Sequence, residues 1–141
     1  MRKLLFSILL LTVFQVSRAQ NITNADSLKR IVLLRQDESA VLSLCYYYAE
    51  GNNDSCLKYA QLLHELSLRS HTKHFEGWAL FYLSISQAKR GNRADELSLV
   101  LQANKMFESL HDSVGISFTN TLLGVIYENY EKDTSKILGF F

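Results

Sequence analysis

Apolar residues recur every three or four positions through almost all of residues 20–141, and strict alternation with polar residues is nowhere sustained. This periodicity is typical of amphipathic helices and predicts an all-α fold. Turn and capping signals divide it into about six or seven helices. The first three helices are expected at residues 28–34, from the cap Asp37 to Tyr48, and from the cap Asp54 to Leu66. The next three are expected at residues 75–89, from the cap Asn92 to Phe107, and at residues 114–130. Asp133 is expected to cap a seventh helix that is incomplete.

The sequence also resembles itself at a distance of 40 residues, which indicates a repeated unit. The matched pairs are Gly51 with Gly91, Leu57 with Leu97, His71 with His111, Trp78 with Phe118, and Leu83 with Leu123. One helical hairpin cannot bury its apolar face alone, so the repeated hairpins are expected to stack on one another.

A family resemblance follows from the segment LLGVIY at residues 122–127, which carries Leu, Gly and Tyr at the spacing Leu-Gly-x-x-Tyr. The same three positions of this spacing are occupied by Leu83, Ser84 and Gln87 in the preceding hairpin, and by Leu44, Cys45 and Tyr48 in the first hairpin. From about residue 39 to 138 the chain resembles the tetratricopeptide repeat (TPR) family. It departs from the family at the usual tryptophan position, filled by Val41, Leu80 and Asn120, and at Glu96, where alanine is usual.

The resemblance implies a right-handed superhelix of stacked antiparallel hairpins. Its units are expected at residues 37–73, 74–113 and 114–141, the last incomplete, after an N-terminal segment at 20–36 with a short helix. The small residues Cys45, Ser84 and Gly124 are expected where the two helices of each hairpin cross closely. Cys45 would then face Cys56, either in a disulfide or as two small buried core residues.

The first helix of each hairpin lines the concave face in this family, which implies a partner-binding groove. When the family's concave positions are carried over to this sequence, the groove residues are Leu42, Tyr46, Trp78, Phe81, Ile85, Phe118, Thr121 and Val125. Aromatic residues of this kind supply much of the energy in protein recognition. The alternative is that these aromatic residues belong to the core, because aromatic residues at helical spacing are commonly buried.

Residues 1–19 have the pattern of a secretory signal peptide, with Arg2 and Lys3, an apolar run at residues 4–14 and small residues before a cut after Ala19. The apolar run is short for a membrane span, although an uncleaved anchor is the alternative. The resemblance to exported bacterial TPR proteins, and to the sensor regions of histidine kinases, implies a periplasmic location.

Charge and motifs exclude several classes of function. Removing the three basic residues of the signal peptide changes the formal charge from +1 to −2, which gives no reason to expect binding to nucleic acid or an anionic membrane. The sequence has neither a phosphate-binding glycine loop nor a G-x-S-x-G nucleophile motif. His64, His71, His74 and His111 are interpreted as surface residues rather than metal ligands. We therefore expect no catalytic residues, no metal and no cofactor.

Two functions remain. The first is an exported TPR-like adaptor or scaffold that binds a protein or peptide and is not an enzyme. The second is the sensory input region of a histidine kinase or of a TPR-containing transcriptional regulator. The predicted helix at residues 114–130 would expose an apolar face, so we expect a partner, a second copy of the chain or a longer protein to cover it.

Overall fold

The computed structural model describes residues 24–138, and in this part of the chain all regular secondary structure is helical. The six helices are α1 (residues 24–35), α2 (Glu38–Tyr48), α3 (Asn53–Ser70), α4 (Lys73–Lys89), α5 (Arg93–Ser109) and α6 (Ser113–Leu138). The predicted all-α fold is thus confirmed. The predicted signal peptide, its cleavage site and the final residues Phe140 and Phe141 lie outside the described range.

Helices α2 to α6 form two layers. Each helix packs against the next, and in addition α4 contacts both α2 and α6. The backbones of helices α3 and α5, in the second layer, do not approach each other this closely. The layer of α2, α4 and α6 is therefore the more closely spaced one, as on the inner side of a curved stack.

Phe107 of α5 lies at the centre of the core and is completely buried. Its ring reaches Gly77 of α4, where an added β-carbon would come within 2.8 Å of Cε1, and Gly115 of α6, where it would come closer still. Real β-carbons are essentially never found this close to another heavy atom. Glycine at these two positions therefore lets α4 and α6 approach the ring from both sides.

Two of the helix starts show how local sequence fixes the helix boundaries. Asp37 caps α2 as predicted, because its carboxylate accepts hydrogen bonds from the backbone N–H groups of Ser39 and Ala40. The prediction that Asp54 caps the third helix is wrong. Asn52 takes that role and accepts from the Ser55 N–H, two residues earlier than expected.

His71 ends α3, and His111 lies two residues before the start of α6. Both residues have the left-handed backbone conformation, with φ of 58° and 53° respectively. Their equivalence at a distance of 40 residues therefore reflects one repeated turn geometry. Asp112, the residue after His111, caps α6 by accepting from the N–H groups of Val114 and Gly115. Its other carboxylate oxygen lies 3.0 Å from Nδ1 of His74, so that the start of α6 is tied to α4.

Two predictions for α6 are wrong. The helix does not end near Tyr130 but continues to Leu138, so that Asp133 lies inside it and not at the start of a seventh helix. No glycine or proline interrupts this stretch, and Lys132 pairs with Glu128 one turn earlier. Gly124 is exposed with nothing within 4 Å of a β-carbon added there, so it is not at a close helix crossing.

Candidate functional site

A concave surface with a mostly apolar lining lies on the α2, α4 and α6 side of the stack, and residues of α1 line one end of it. One hollow of about 510 Å³ is lined by Asn24, Ala25, Leu28, Leu42, Ser43, Tyr46, Tyr47, Trp78, Tyr82, Val114 and Phe118. A second of about 380 Å³ shares Phe118 and is also lined by Phe81, Ser117, Thr121, Leu122 and Val125. We call these two hollows together the apolar groove.

Its lining carries no acidic, basic or histidine side chain among the described residues. Two other large hollows differ in this respect. One contains Arg35 and Arg69 beside Asp37, and another contains Lys73 and Lys105. The apolar groove is thus suited to an uncharged, apolar ligand, because a charged group would lose its hydration there without gaining a partner.

An aromatic cluster forms the middle of the groove. The ring centroids of Trp78 and Phe118 are 5.5 Å apart at 73°, and Phe81 lies 5.6 Å from Trp78 and 5.9 Å from Phe118, both nearly perpendicular. Edge-to-face pairs at such distances are favourable beyond the area they bury. The cluster therefore holds Trp78 and Phe118 in fixed orientations, on α4 and α6 respectively.

Burial separates the floor of the groove from its walls. Trp78 and Phe81 are only 9% and 6% exposed, and Trp78 also packs against Phe107 at 5.1 Å. Phe118 and Val125 of α6 are about half exposed, at 48% and 49%. A ligand would gain most of its contact area from the wall residues, while the floor residues belong to the core as well.

The structure brings most of the predicted groove residues together. Leu42, Tyr46, Trp78 and Phe118 line the larger hollow, and Phe81, Thr121 and Val125 line the smaller one with Phe118. Ile85 lines neither and packs half-buried against the core.

Sequence reasoning missed part of the wall. The missed residues are Asn24, Ala25 and Leu28 of α1, and Tyr47, Tyr82, Val114, Ser43, Ser117 and Leu122. Val114 is one helical turn before Phe118, so its position on the same face is a signal that was present in the sequence. The contribution of α1 has no such signal, because it depends on where that helix packs.

Cys45 of α2 and Cys56 of α3 are completely buried and are free thiols in the structure, so that no disulfide joins them. Burial raises the pKa of the Cys45 thiol far above its ordinary value, and the neighbouring Cys56 adds to the effect. Burial also raises the pKa of Cys56, partly offset by the Ser86 hydroxyl and by the charge of Lys89. Both sulfurs therefore pack as neutral core groups.

Three of the four histidines lie at the surface of the structure. His71, His74 and His111 are exposed, and the described residues contain no group of three or more metal-ligating side chains. None of the described helices combines the length and the apolar character that crossing a membrane requires.

Comparison with known proteins found no matching protein-family model, no matching curated protein and no matching solved structure. The resemblance to TPR proteins therefore stays a prediction from this chain's own residues.

Proposed function

We propose that this chain is an exported, non-catalytic interaction module of TPR-like hairpins that binds an apolar helix or peptide of a partner protein. The observation that carries the proposal is the apolar groove, which is long, uncharged and lined by fixed aromatic side chains. Amphipathic helices bind to other proteins by laying an apolar face into grooves of this kind.

The dimensions of the groove support a helical ligand. Along α6, Val114 and Val125 are separated by eleven residues, or about 17 Å at 1.5 Å per residue. This is the length of about three helical turns. Since aromatic anchors commonly dominate such interfaces, Phe118 on the wall is the expected centre of binding.

The packing of the helices supports the solenoid part of the proposal. The backbone of α4 comes close to those of α2 and α6, whereas the backbones of α3 and α5 stay further apart, as expected for a stack that curves around the first helix of each hairpin. The family resemblance supplies the right-handed superhelical path. The pattern of residues 1–19 supports export to the periplasm.

The test compares two aspartate substitutions on α6. Phe118→Asp places a charge in the groove, whereas Tyr127→Asp changes an aromatic residue of similar exposure, 53% against 48%, that lines neither hollow. The probe is a fluorescent synthetic helix with about 14 leucine and alanine residues between terminal lysines. Binding to residues 20–141 is measured by fluorescence anisotropy, with helicity checked by circular dichroism.

We expect Phe118→Asp to weaken binding at least about ten-fold and Tyr127→Asp to leave it nearly unchanged. No binding by the unsubstituted chain, or equal binding by both variants, would refute the groove. Trp78→Ala is a poorer test, because Trp78 is also a core residue and its loss is expected to cost about 3 kcal/mol or more of stability.

The length of α6 supports a second candidate, the sensory input region of a signalling receptor. Helix α6 has 26 residues and its antiparallel neighbour α5 has 17, so the last part of α6 extends past the start of α5. A projecting helix of this kind can connect to an output region. A longer gene product containing a membrane span and a kinase or DNA-binding domain would favour this candidate.

Self-association is a separate partner proposal. Val114, Phe118, Val125 and Tyr127 give α6 considerable exposed apolar surface, which a second copy of the chain would cover in a homodimer. Light scattering on residues 20–141 distinguishes a dimer from a monomer. A monomer at micromolar concentration would contradict the homodimer and leave the groove available to other partners.

A further inference from the structure

A separate hollow of about 640 Å³ lies between α3, α4 and α5 and shares no lining residue with the apolar groove. It exists because the backbones of α3 and α5 stay apart and leave one face of α4 uncovered between them. Its volume falls within the range of about 300–1,000 Å³ that is typical of small-molecule sites.

The register of α4 against α5 sets the order of the side chains along this hollow. A short turn connects the two helices, which are therefore antiparallel, and Gly77 of α4 lies against Phe107 of α5. Leu83 follows Gly77 on α4 and Leu99 precedes Phe107 on α5, so the two leucines lie at one end of the hollow. The lysine residues of the lining lie toward the other end for the same reason.

The leucine end of the hollow offers an apolar surface. Leu80 is 6% exposed and belongs to the core, and Leu83 and Leu99 are partly buried and pack against that core. All three also line the hollow, so each has one side against the core and another toward the open space. An alkyl chain laid on them would gain up to about four-fold in affinity for each methylene group removed from water.

The lysine end of the hollow carries a positive charge that is not compensated. The acidic side chain of the described lining, Glu76, is 12% exposed and pairs with Lys73, with 2.6 Å between Oε2 and Nζ. Lys105 is exposed and makes no ion pair or hydrogen bond with any other described residue through its side chain. This end of the hollow therefore favours an anionic group.

We infer that the hollow binds a single-chain alkyl carboxylate, that is, a medium-chain fatty acid. Its alkyl chain lies on Leu80, Leu83 and Leu99, and its carboxylate lies near Lys105. Lys73 and Leu83 are ten residues apart on α4, or about 15 Å, so opposite ends of one site contact the head and the tail of the ligand. The inference goes beyond the proposed function and does not depend on it.

The experiment measures binding of decanoate to the full chain by isothermal titration calorimetry, below the concentration at which decanoate forms micelles. Hexanoate has the same carboxylate on a shorter chain, and decyltrimethylammonium has a chain of the same length with a positive charge. Lys105→Gln removes the unpaired charge. Lys58→Gln is the matched control, because Lys58 is also exposed on a helix and lines none of the hollows described above. Gln102→Glu adds a negative charge one helical turn from Lys105 at nearly constant side-chain size.

We expect decanoate to bind the unsubstituted chain with a Kd of about 0.1 mM, an affinity within reach of a ligand with so few atoms. Hexanoate should bind at least about ten-fold more weakly because its chain is shorter, and decyltrimethylammonium equally so because Lys105 repels it. Lys105→Gln and Gln102→Glu should each weaken decanoate binding about five-fold, whereas Lys58→Gln should change it by less than about two-fold. Circular dichroism checks that each variant keeps its helicity.

The contradicting results are distinct from those that concern the apolar groove. Equal binding of decanoate to all these variants, equal affinity for decyltrimethylammonium, or no binding of decanoate at about 1 mM would each overturn the inference. Loss of decanoate binding in Phe118→Asp but not in Lys105→Gln would place decanoate in the apolar groove and would also overturn it. None of these results contradicts the proposed function, because the two sites share no lining residue.

Discussion

The ring of Phe107 lies so close to Gly115 that a β-carbon at Gly115 would come within 2.6 Å of Cδ2 and closer still to Cγ. The two residues are on α5 and α6, and their contact fixes how closely these helices approach. Because α6 carries Phe118 and Val125, the same contact positions one wall of the apolar groove.

Gly115→Ala should destabilise the protein by about 1–3 kcal/mol, since the added methyl group must displace a buried ring or move α6. Gly124→Ala on the same helix is the matched control, because a β-carbon there meets nothing within 4 Å. This control should increase stability by up to about 1 kcal/mol through helix propensity alone. Urea denaturation measures both, and a Gly115→Ala variant as stable as the unsubstituted chain would contradict the close contact.

Arg93 and Glu96 form an ion pair at 3.2 Å in which the glutamate side chain is 3% exposed and the arginine 49%. Arg93→Ala leaves a buried carboxylate without its partner and should cost about 1–3 kcal/mol, less than in a fully buried pair because water already reaches the arginine. Glu96→Ala removes the buried charge itself and should cost less. A double-mutant cycle by urea denaturation measures the pair, and equal costs for the two single variants would contradict this account.

The free energy of unfolding should fall above about pH 9 when the thiols of Cys45 and Cys56 are kept reduced. Burial raises the folded-state pKa values of Cys45 and Cys56 above the ordinary 9.0, so above that pH the unfolded chain releases these protons more readily than the folded chain. Between the unfolded and folded pKa values, ionisation of the Cys45 thiol lowers the free energy of unfolding by up to about 1.4 kcal/mol per pH unit, and Cys56 adds to this loss in the same direction. The raised pKa of Tyr82 adds a similar loss above about pH 10, its ordinary value.

The control for this pH dependence is the double variant Cys45→Ala and Cys56→Ala. Its free energy of unfolding should change little between pH 8.5 and 9.5, whereas that of the unsubstituted chain falls. Equal slopes under reducing conditions would show that the thiols are not buried as described. A slope that disappears only without reductant would indicate a disulfide between them.

Much of the fold was predictable because helices and their caps depend on residues that are close in sequence. The three- and four-residue spacing located the helices, and Asp37 was correctly placed as a cap because an N-cap acts on N–H groups only two or three residues away. The errors were of the same local kind. Asn52 and Asp54 are both good caps, and the carboxylate of Asp133 does not by itself end a helix that has no glycine or proline between Tyr130 and Leu138.

The groove was predictable as far as it follows one face of each helix. Phe118, Thr121 and Val125 are spaced so that they share one side of α6, and they line the smaller hollow. The contribution of Ala25 and Leu28 was not predictable, because it depends on the packing of α1 against helices that are distant in sequence.

The sequence by itself determined that this chain is helical, where most helices begin and which faces are apolar, because these properties follow from interactions over a few residues. Only the tertiary structure decided which small residues permit close packing. The sequence resemblance predicted a close helix crossing at Gly124, where an added β-carbon meets nothing within 4 Å, whereas Gly77 and Gly115 lie against Phe107. The reason is that a missing side chain matters only where another helix approaches, and no helix packs against Gly124 among the described residues.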